Sequence, residues 1–277
     1  MPHQVENQEV ERLVGSDRVL AVLVEVARHP AGVTLEELAR TLDSSKPTVH
    51  RALVSLRKAS LAVQTGRGMY ALGDEFLRLA FRNYEARPET TRLEPLMREL
   101  AAEFGETVHY AVLDGKDVVY RAKVDPEQGA VRLTSTVGGR NPVYRTAVGK
   151  LLLSQFVTTK SELEGWLGGE ALESMTPFTI TDPTLLLHEL NATRARGYGV
   201  DDQENELGIN CVAVPVSLDR SGVPIGAISI SGLRFRCPLD RLVKAVPVLR
   251  TRVDSVASQG WRIPAMAGTD PGPEIRA

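Results

Sequence analysis

One stretch constrains this chain more than any other: Ser45-Lys46-Pro47-Thr48-Val49-His50-Arg51-Ala52-Leu53-Val54-Ser55-Leu56-Arg57-Lys58. Val49, Ala52, Leu53 and Leu56 recur at helical spacing and make one apolar face, whereas Pro47, Thr48, Arg51, Ser55 and Lys58 fall on the other. Ser45 is a favourable N-cap. Pro47 fits only a first turn, where the backbone N–H has no intrahelical partner. The spacing therefore predicts a helix beginning near Lys46, with one face to pack and one to touch a ligand.

The flanking residues give that helix a context. Asp17 precedes an apolar run (Val19, Leu20, Leu23, Val24, Ala27) and reads as the cap of a first helix, closed by His29-Pro30. Thr34, followed three residues later by Glu37, is a capping box for a short helix over Leu35 to Leu42, and Asp43-Ser44-Ser45 is a tight polar turn. Helix, short helix, three-residue turn and helix is the helix-turn-helix order, in which the last helix enters the major groove of DNA. Leu61 to Thr65 and Met69 to Leu72, joined by Gly66-Arg67-Gly68, read as a hairpin wing with Arg67 at its tip. From Ser44 to Gly73 there are five basic residues and no acidic one, although the chain's formal net charge is −2. That balance excludes a generally basic coat and confines positive charge to the surface that would face phosphates. Lys46, Thr48 and Arg51 are then the expected readers of base edges, with Ser45, Pro47 and His50 at the same end of the helix; Ser55, Arg57, Lys58 and Arg67 are expected on phosphates. Two other readings compete. One is a plain helical bundle with a solvated basic face, against which the turn and wing argue. The other is a dinucleotide fingerprint at Gly66 to Ala71, which lacks the helix it would have to open.

A length of 277 residues favours two domains. The expected division is a flexible arm over 1–15, a winged helix-turn-helix over 16–73, a linker helix over 74–88, a second domain over 89–262 and a disordered tail over 263–277. In the second domain, periodicity predicts a helix over Thr91 to Phe104 and a hairpin of Thr107 to Leu113 with Val118 to Val124. A third strand is expected over Val131 to Val137. Helices follow from Thr146, over Ser161 to Leu167 and over Asp182 to Arg196. Strands are expected over Gly199 to Gln203, Asn210 to Leu218 and Ile225 to Ser231, before a closing helix over Arg236 to Ser258. The fold class expected is α+β with a mostly antiparallel sheet. Cys211 and Cys237 are the cysteines of a chain with no signal peptide and no apolar run of roughly 18 residues, which points to free thiols in a reducing cytoplasm and away from the membrane.

Catalytic constellations are hard to find. Gly149-Lys150 lacks the remainder of a phosphate loop, having Tyr144 and Leu151 where glycine and Ser/Thr are needed. The histidines His3, His29, His50, His109 and His188 are scattered, so neither a metal site nor a cofactor is expected. Cys211 could act beside His109 or His188, but a lone cysteine in an apolar strand reads better as a packed thiol. A binding pocket fits better. Cys211, Ser229 and Ser231 put small polar groups into apolar strands, where buried hydroxyls need partners, supplied either by a ligand or by neighbouring backbone. Ala147, Val148 and Gly149 open a helix whose first N–H groups could hold a carboxylate.

These motifs together resemble the IclR family of bacterial transcriptional regulators, from about Asp17 to about Trp261. The resemblance rests on Ser45 to Leu53, on Tyr70-Ala71-Leu72-Gly73, on Gly105-Glu106-Thr107-Val108-His109 and on Thr146-Ala147-Val148-Gly149-Lys150. It continues through Gly197-Tyr198, Asp201 to Gly208 and Cys211 to Val216. It implies a winged helix-turn-helix joined by a linker helix to a GAF-like ligand domain. It further implies a non-enzymatic regulator, a repressor of a catabolic operon, that binds operator DNA as a homodimer or dimer of dimers, with contact to RNA polymerase left open. The effector it implies is a small organic acid or aromatic catabolite in a pocket of Leu133, Ala147, Val148, Asp201, Cys211, Ser229 and Ser231. The chain departs from the family pattern at Ser60, where many members have glycine. It departs again at Thr146-Ala147, which replaces the Ser-Gly pair of glyoxylate-responsive members.

Overall fold

The apolar spacing and caps of the N-terminal segment organise three helices around one small core. The computed structural model describes residues 15–85, 87–127, 133–217 and 224–258; residues 1–14 of the expected arm and the whole of the expected tail lie outside them. The chain divides into two units, 1–87 and 88–277.

In the first unit, α1 is Ser16–Ala27, and Asp17 lies in its first turn instead of capping it; Gly15 takes the cap position. β1 is Val33–Thr34 and α2 is Leu35–Thr41. The capping box forms as expected: the Glu37 N–H donates to Thr34 Oγ1 at 3.2 Å, and the Thr34 N–H donates to Glu37 Oε2 at 2.9 Å. α3 is Lys46–Lys58, with Ser45 at its N-cap in extended backbone. The Ser45 hydroxyl, however, pairs with the Thr48 hydroxyl at 2.8 Å and caps no backbone N–H. Val49, Ala52, Leu53 and Leu56 are buried against Val22, Val26 and Leu38. The wing is β2, Ala62–Thr65, and β3, Met69–Leu72, joined by a 3-10 turn at Gly66–Gly68. β1 pairs with the outer side of β3, a strand too short for its two residues to show alternation in the sequence. Ser60 enters the wing at φ +58°, which is why glycine suits this position. α4 follows over Asp74–Glu85.

In the second unit, α5 is Pro88–Phe104, beginning at the proline that ends the preceding segment. A six-stranded antiparallel sheet runs in the order β6-β5-β4-β9-β8-β7. Its strands are β4 Thr107–Asp114, β5 Asp117–Val124, β6 Arg140–Pro142, β7 Gly199–Asp202, β8 Ile209–Val216 and β9 Gly226–Leu233. One face packs on α5 and α9 (Leu239–Ser258) through Leu93, Met97, Ile228, Ile230 and Leu249. The opposite face packs on α6 Ala147–Leu153, α7 Lys160–Leu167 and α8 Pro183–Arg196 through Val148, Leu151, Leu163, Leu186 and Leu190. This is the α/β architecture with an antiparallel sheet. The strand expected over Val131 to Val137 is a correction: residues 131 and 132 lie outside the described part, and Leu133 to Val137 forms no strand. Lys123 Nζ donates to the carbonyls of Leu133 and Ser135 at 2.8 Å each, so a side chain occupies two acceptors a ladder would need. The third short strand is β6 instead.

Candidate functional site

Two surfaces carry the chemistry, one in each unit. In the first, burial of Val49, Ala52, Leu53 and Leu56 turns the rest of α3 outward. Ser45, Lys46, Pro47, His50, Arg51, Ser55, Arg57 and Lys58 are exposed and Thr48 is half-buried. Arg51 touches Thr48 Oγ1 at 3.5 Å, and Ser55 Oγ donates to the Arg51 carbonyl at 3.2 Å. Lys46 is paired with Glu36 of α2 at 3.0 Å in an exposed contact of little stability, so its ammonium can leave for another anion. Arg57 differs, because its guanidinium donates to Gln64 of β2 at 3.1 Å and ties the wing to the helix. The backbone of Arg67 lies in the turn at the end of the wing. An exposed helix with a cationic face and a hairpin beside it is the geometry that fits a DNA groove.

In the second unit, alternation along the strands collects polar residues on the face towards α6. Register aligns Thr107, Ser231, Cys211 and Asp201 in one row across β4, β9, β8 and β7. The adjacent row is Lys123, His109, Ser229, Ala213 and Gly199. Residues two apart on a strand share a face, so these rows converge on one space. A cavity of about 510 Å³ opens there. α6 presses directly on the sheet at its edge: a Cβ added to Gly199 would lie 1.9 Å from the Ala147 carbonyl oxygen, so only glycine permits the approach.

Of the pocket residues expected from the sequence, Leu133, Ala147, Val148, Asp201, Cys211, Ser229 and Ser231 all line this cavity. Gly149 is the exception and a correction. It is buried away from the lining, a Cβ there would meet the Val143 carbonyl oxygen at 2.2 Å, and its N–H is taken by Thr146 Oγ1 at 3.0 Å. The cap that makes α6 start consumes the donor that was expected to be free.

Sequence reasoning weighed His109 only as a base for Cys211 and placed neither it nor Tyr120, Ser135, Asn141, Arg145 and Asn205 in the pocket, yet all of them line the cavity. His109 shares the alternation of Thr107 and Ala111 but sits alone among scattered histidines, so its signal is weak. Its Nε2 pairs with Ser135 Oγ at 2.8 Å and its ring lies 4.7 Å from that of Tyr120. Burial, helped by the nearby Lys123 cation, pulls its pKa down to about 3, so the imidazole is neutral at physiological pH. The Tyr120 hydroxyl accepts from Asn141 at 3.2 Å, and burial raises its pKa to about 12. Arg145 donates through Nε to Asn205 at 2.9 Å.

The electrostatics of the other end follow from burial. Asp201 Oδ1 accepts from the Glu204 N–H at 2.8 Å and the Asn205 N–H at 3.4 Å. Desolvation, reinforced by the Glu204 carboxylate, nevertheless lifts Asp201 to about 7 against the pull of Lys150. Lys150, 1% exposed, pairs with Glu204 and lies 3.6 Å from Glu189, so its ammonium is spent inside the protein and holds no phosphate. Burial likewise pushes the Cys211 thiol well above its ordinary value, with the Asp201 charge adding to the effect. A protonated thiol and a neutral imidazole do not form a nucleophile and base; His188, the other candidate base, is on the exposed side of α8. Among the described residues no group of His, Cys, Asp and Glu could hold a metal ion.

Both units match known proteins. Residues 16–66 match the family described as IclR helix-turn-helix domain, and residues 89–258 match Bacterial transcriptional regulator IclR C-terminal. The Escherichia coli HTH-type transcriptional regulator KdgR is 34% identical over 228 residues, 82% of this chain and 85% of that one. The crystal structure of the Thermotoga maritima IclR superposes with a TM-score of 0.70 at 29% identity, covering 88% of this chain and 97% of that one. A double mutant of the PobR inducer-binding domain from Acinetobacter, solved in complex with 3-hydroxybenzoic acid, superposes with a TM-score of 0.56 at 29% identity, covering 62% and 98%. The chain belongs to the IclR family of bacterial transcriptional regulators.

Proposed function

We propose that this regulator is a cytoplasmic repressor of a catabolic operon, whose hold on operator DNA is altered by a small organic acid or aromatic catabolite bound in the second unit. One observation carries the reading: a single chain joins an exposed, acid-free helix face and wing to a cavity lined by polar and apolar side chains together. The relative bearing 3-hydroxybenzoic acid supports an acidic effector. Lys46, Thr48 and Arg51 read base edges, Ser45, Pro47 and His50 pack along the same groove wall, and Ser55, Lys58 and Arg67 hold phosphates. Arg57 fixes the wing and reaches the backbone from there. Leu133, Ala147, Val148, Asp201, Cys211, Ser229 and Ser231 form the effector site. Domain roles follow the division expected from the sequence.

The chain acts as a homodimer or dimer of dimers. On α4, Leu77, Phe81 and Tyr84 lie one helical turn apart and are 43%, 63% and 41% exposed, a stripe that a second copy would cover. Two recognition helices then meet half-sites about one helical turn of DNA apart, or a multiple of it. The effector favours one arrangement of the oligomer, so its affinity and that of the operator are reciprocally linked. Bound operator excludes RNA polymerase or alters its contacts.

Fluorescence anisotropy with duplex DNA from upstream of the chain's own coding region tests this. Binding should weaken steeply with salt and respond to an added acid, and Ser231→Leu, which fills the cavity, should abolish the response and leave DNA binding intact. Absence of DNA binding, or an acid response that survives Ser231→Leu, refutes the reading; turnover of the acid into product favours an enzyme with a DNA-binding appendage.

A further inference from the structure

The first cation of α3 is held by an acidic group that belongs to another helix. Lys46 Nζ donates to Glu36 Oε1 of α2 at 3.0 Å, across ten residues of chain. Leu38 and Ala39 of α2 pack with Val49 and Leu53 of α3 in one core, which keeps the first turns of the two helices within reach of each other. Glu36 has a neighbour of the same charge, Glu37, but that carboxylate is occupied by the N–H and the hydroxyl of Thr34, at 2.9 and 2.7 Å. Glu36 has no part in the cap. Lys46 is the first residue of α3, at the positive end of the helix dipole, and no acidic residue stands in the first turn of α3 to offset it. The anion comes from α2 instead.

We propose that Glu36 is a specificity-determining residue of the DNA interface, which neutralises Lys46 towards phosphates and leaves it able to donate to base edges. The proposal rests on the reading of α3 as the helix that enters the groove and of Lys46 as a reader of bases. An ammonium has three N–H donors, and Glu36 takes one of them. A neutral acceptor on a base, such as O6 or N7 of guanine, can take a second while the ion pair stays closed. A phosphate that takes the second donor stands within about 6 Å of the Glu36 carboxylate, two hydrogen-bond lengths away and inside the ~8 Å screening length of physiological salt, and is repelled by it. Random DNA offers Lys46 chiefly phosphates, so the pair withholds one positive charge from non-specific binding. Discrimination then comes from a penalty on the wrong DNA as well as from contacts to the right one. Both side chains are exposed, so the pair adds little to folding, and stability alone does not account for its place beside a reading residue.

Fluorescence anisotropy on the full-length protein tests this with two duplexes, one that the wild type selects from a randomised pool and one of scrambled sequence. Glu36→Gln, which keeps the shape of the side chain and loses its charge, should tighten binding to the scrambled duplex roughly threefold to tenfold and steepen the fall of log affinity with log salt by about 0.9, the value of one further phosphate contact. Its affinity for the selected duplex should change less than about twofold, so that the ratio between the two duplexes falls. In a Lys46→Met background the same substitution should shift both duplexes by one factor and leave the ratio unmoved. Melting curves check that each variant folds, and Glu36→Ala carries the comparison if the Gln variant does not. Equal tightening on both duplexes, a salt slope that stays put, or a fall in the ratio that persists in the Lys46→Met background overturns the role of Glu36 and leaves the reading helix standing. A Glu36→Gln variant that loses the selected duplex makes Glu36 a base contact in its own right and also overturns the proposal. A wild type that selects no duplex from the pool overturns the reading helix and this proposal together.

Discussion

Asp201→Asn should change how the protein's stability responds to pH, and both the sign and the size follow from where Asp201 sits. In the folded chain its carboxyl titrates at about 7, against an ordinary value of 3.8, because burial and the neighbouring Glu204 carboxylate disfavour the charge. Between those two values the folded chain holds a proton that the unfolded chain has released, so stability falls as pH rises across the window. Below 3.8 both states are protonated, and above 7 both are charged. Each pH unit inside the window is worth about 1.4 kcal/mol, so from pH 5 to pH 8 this one carboxyl removes roughly 3 kcal/mol. The amide that replaces the carboxyl keeps an oxygen able to accept from the Glu204 N–H and has nothing to titrate, so the variant should gain on the wild type by about 4 kcal/mol at pH 8, the whole window, and hardly at all at pH 4. Paired urea titrations of full-length wild type and variant across pH 5 to 8 measure the difference directly. A variant whose midpoint falls with pH as steeply as the wild type's would refute the argument that Asp201 is the proton carrier.

The same placement affects the effector. An organic anion entering beside Asp201 adds a like charge, so above pH 7 its binding takes up a proton and its affinity should fall, by up to about tenfold per pH unit; calorimetry in buffers of different ionisation enthalpy reads the proton, and Asp201→Asn should flatten the profile. On the DNA face, Arg51→Ala should weaken specific DNA by roughly 1–3 kcal/mol and relax sequence preference, whereas Lys58→Ala should weaken specific and random DNA alike; equal losses on both DNAs for both variants in anisotropy would remove the distinction between them. Ser60→Gly should stabilise the first unit by about 1 kcal/mol, because it relieves a serine at φ +58°, and a melting temperature unchanged or lowered contradicts that. Lys150→Met should destabilise the second unit by about 3–5 kcal/mol through the buried Glu204 carboxylate left unpaired, Glu189 keeping Arg196, with Lys150→Met/Glu204→Gln recovering much of the loss in urea titrations.

The DNA-binding half was legible because its determinants are local. The Thr34–Glu37 capping box, Pro47 in a first turn, the spacing of Val49, Ala52, Leu53 and Leu56 and the turn from Gly66 to Gly68 each span a few residues, and the structure follows them within a residue or two. Where it departs, a side chain chose a different partner at short range: the Ser45 hydroxyl took Thr48, and Asp17 moved from the cap into the first turn. The antiparallel hairpins of the second unit were legible for the same reason, since Asp114-Gly115-Lys116 states its turn locally. The strand expected over Val131 to Val137 failed because Lys123, ten residues upstream of Leu133, captured two of its carbonyls. No period within that segment could have shown it.

The cavity is legible only in part because its rows run across strands. Thr107, Ser231, Cys211 and Asp201 are adjacent in register yet lie far apart in the chain, in no monotonic order. Ser229 and Ser231 could be picked out because polar residues in an apolar strand demand partners, but the sequence alone cannot say that His109 lies opposite Ser229, or that the loop carrying Ser135 folds back onto it. The same geometry sets the charge of the site. Lys150 is drawn below the lining by Glu204 and Glu189, so the cation nearest in sequence to the pocket motif is not the one that faces the cavity; Arg145 is. A site assigned from the Thr146 to Lys150 motif alone would put a buried, already paired cation in the lining. With Lys150 neutralised by carboxylates and His109 held neutral by burial, Arg145 has Arg140, Asp201 and Glu206 as the other charged groups of the lining. Arg140 is itself bound to Asp114 and Asp117. Any preference of the cavity for an anion therefore turns on Arg145, on Glu206 and on whether Asp201 carries its proton. That is why an acid should bind most tightly at or below neutral pH.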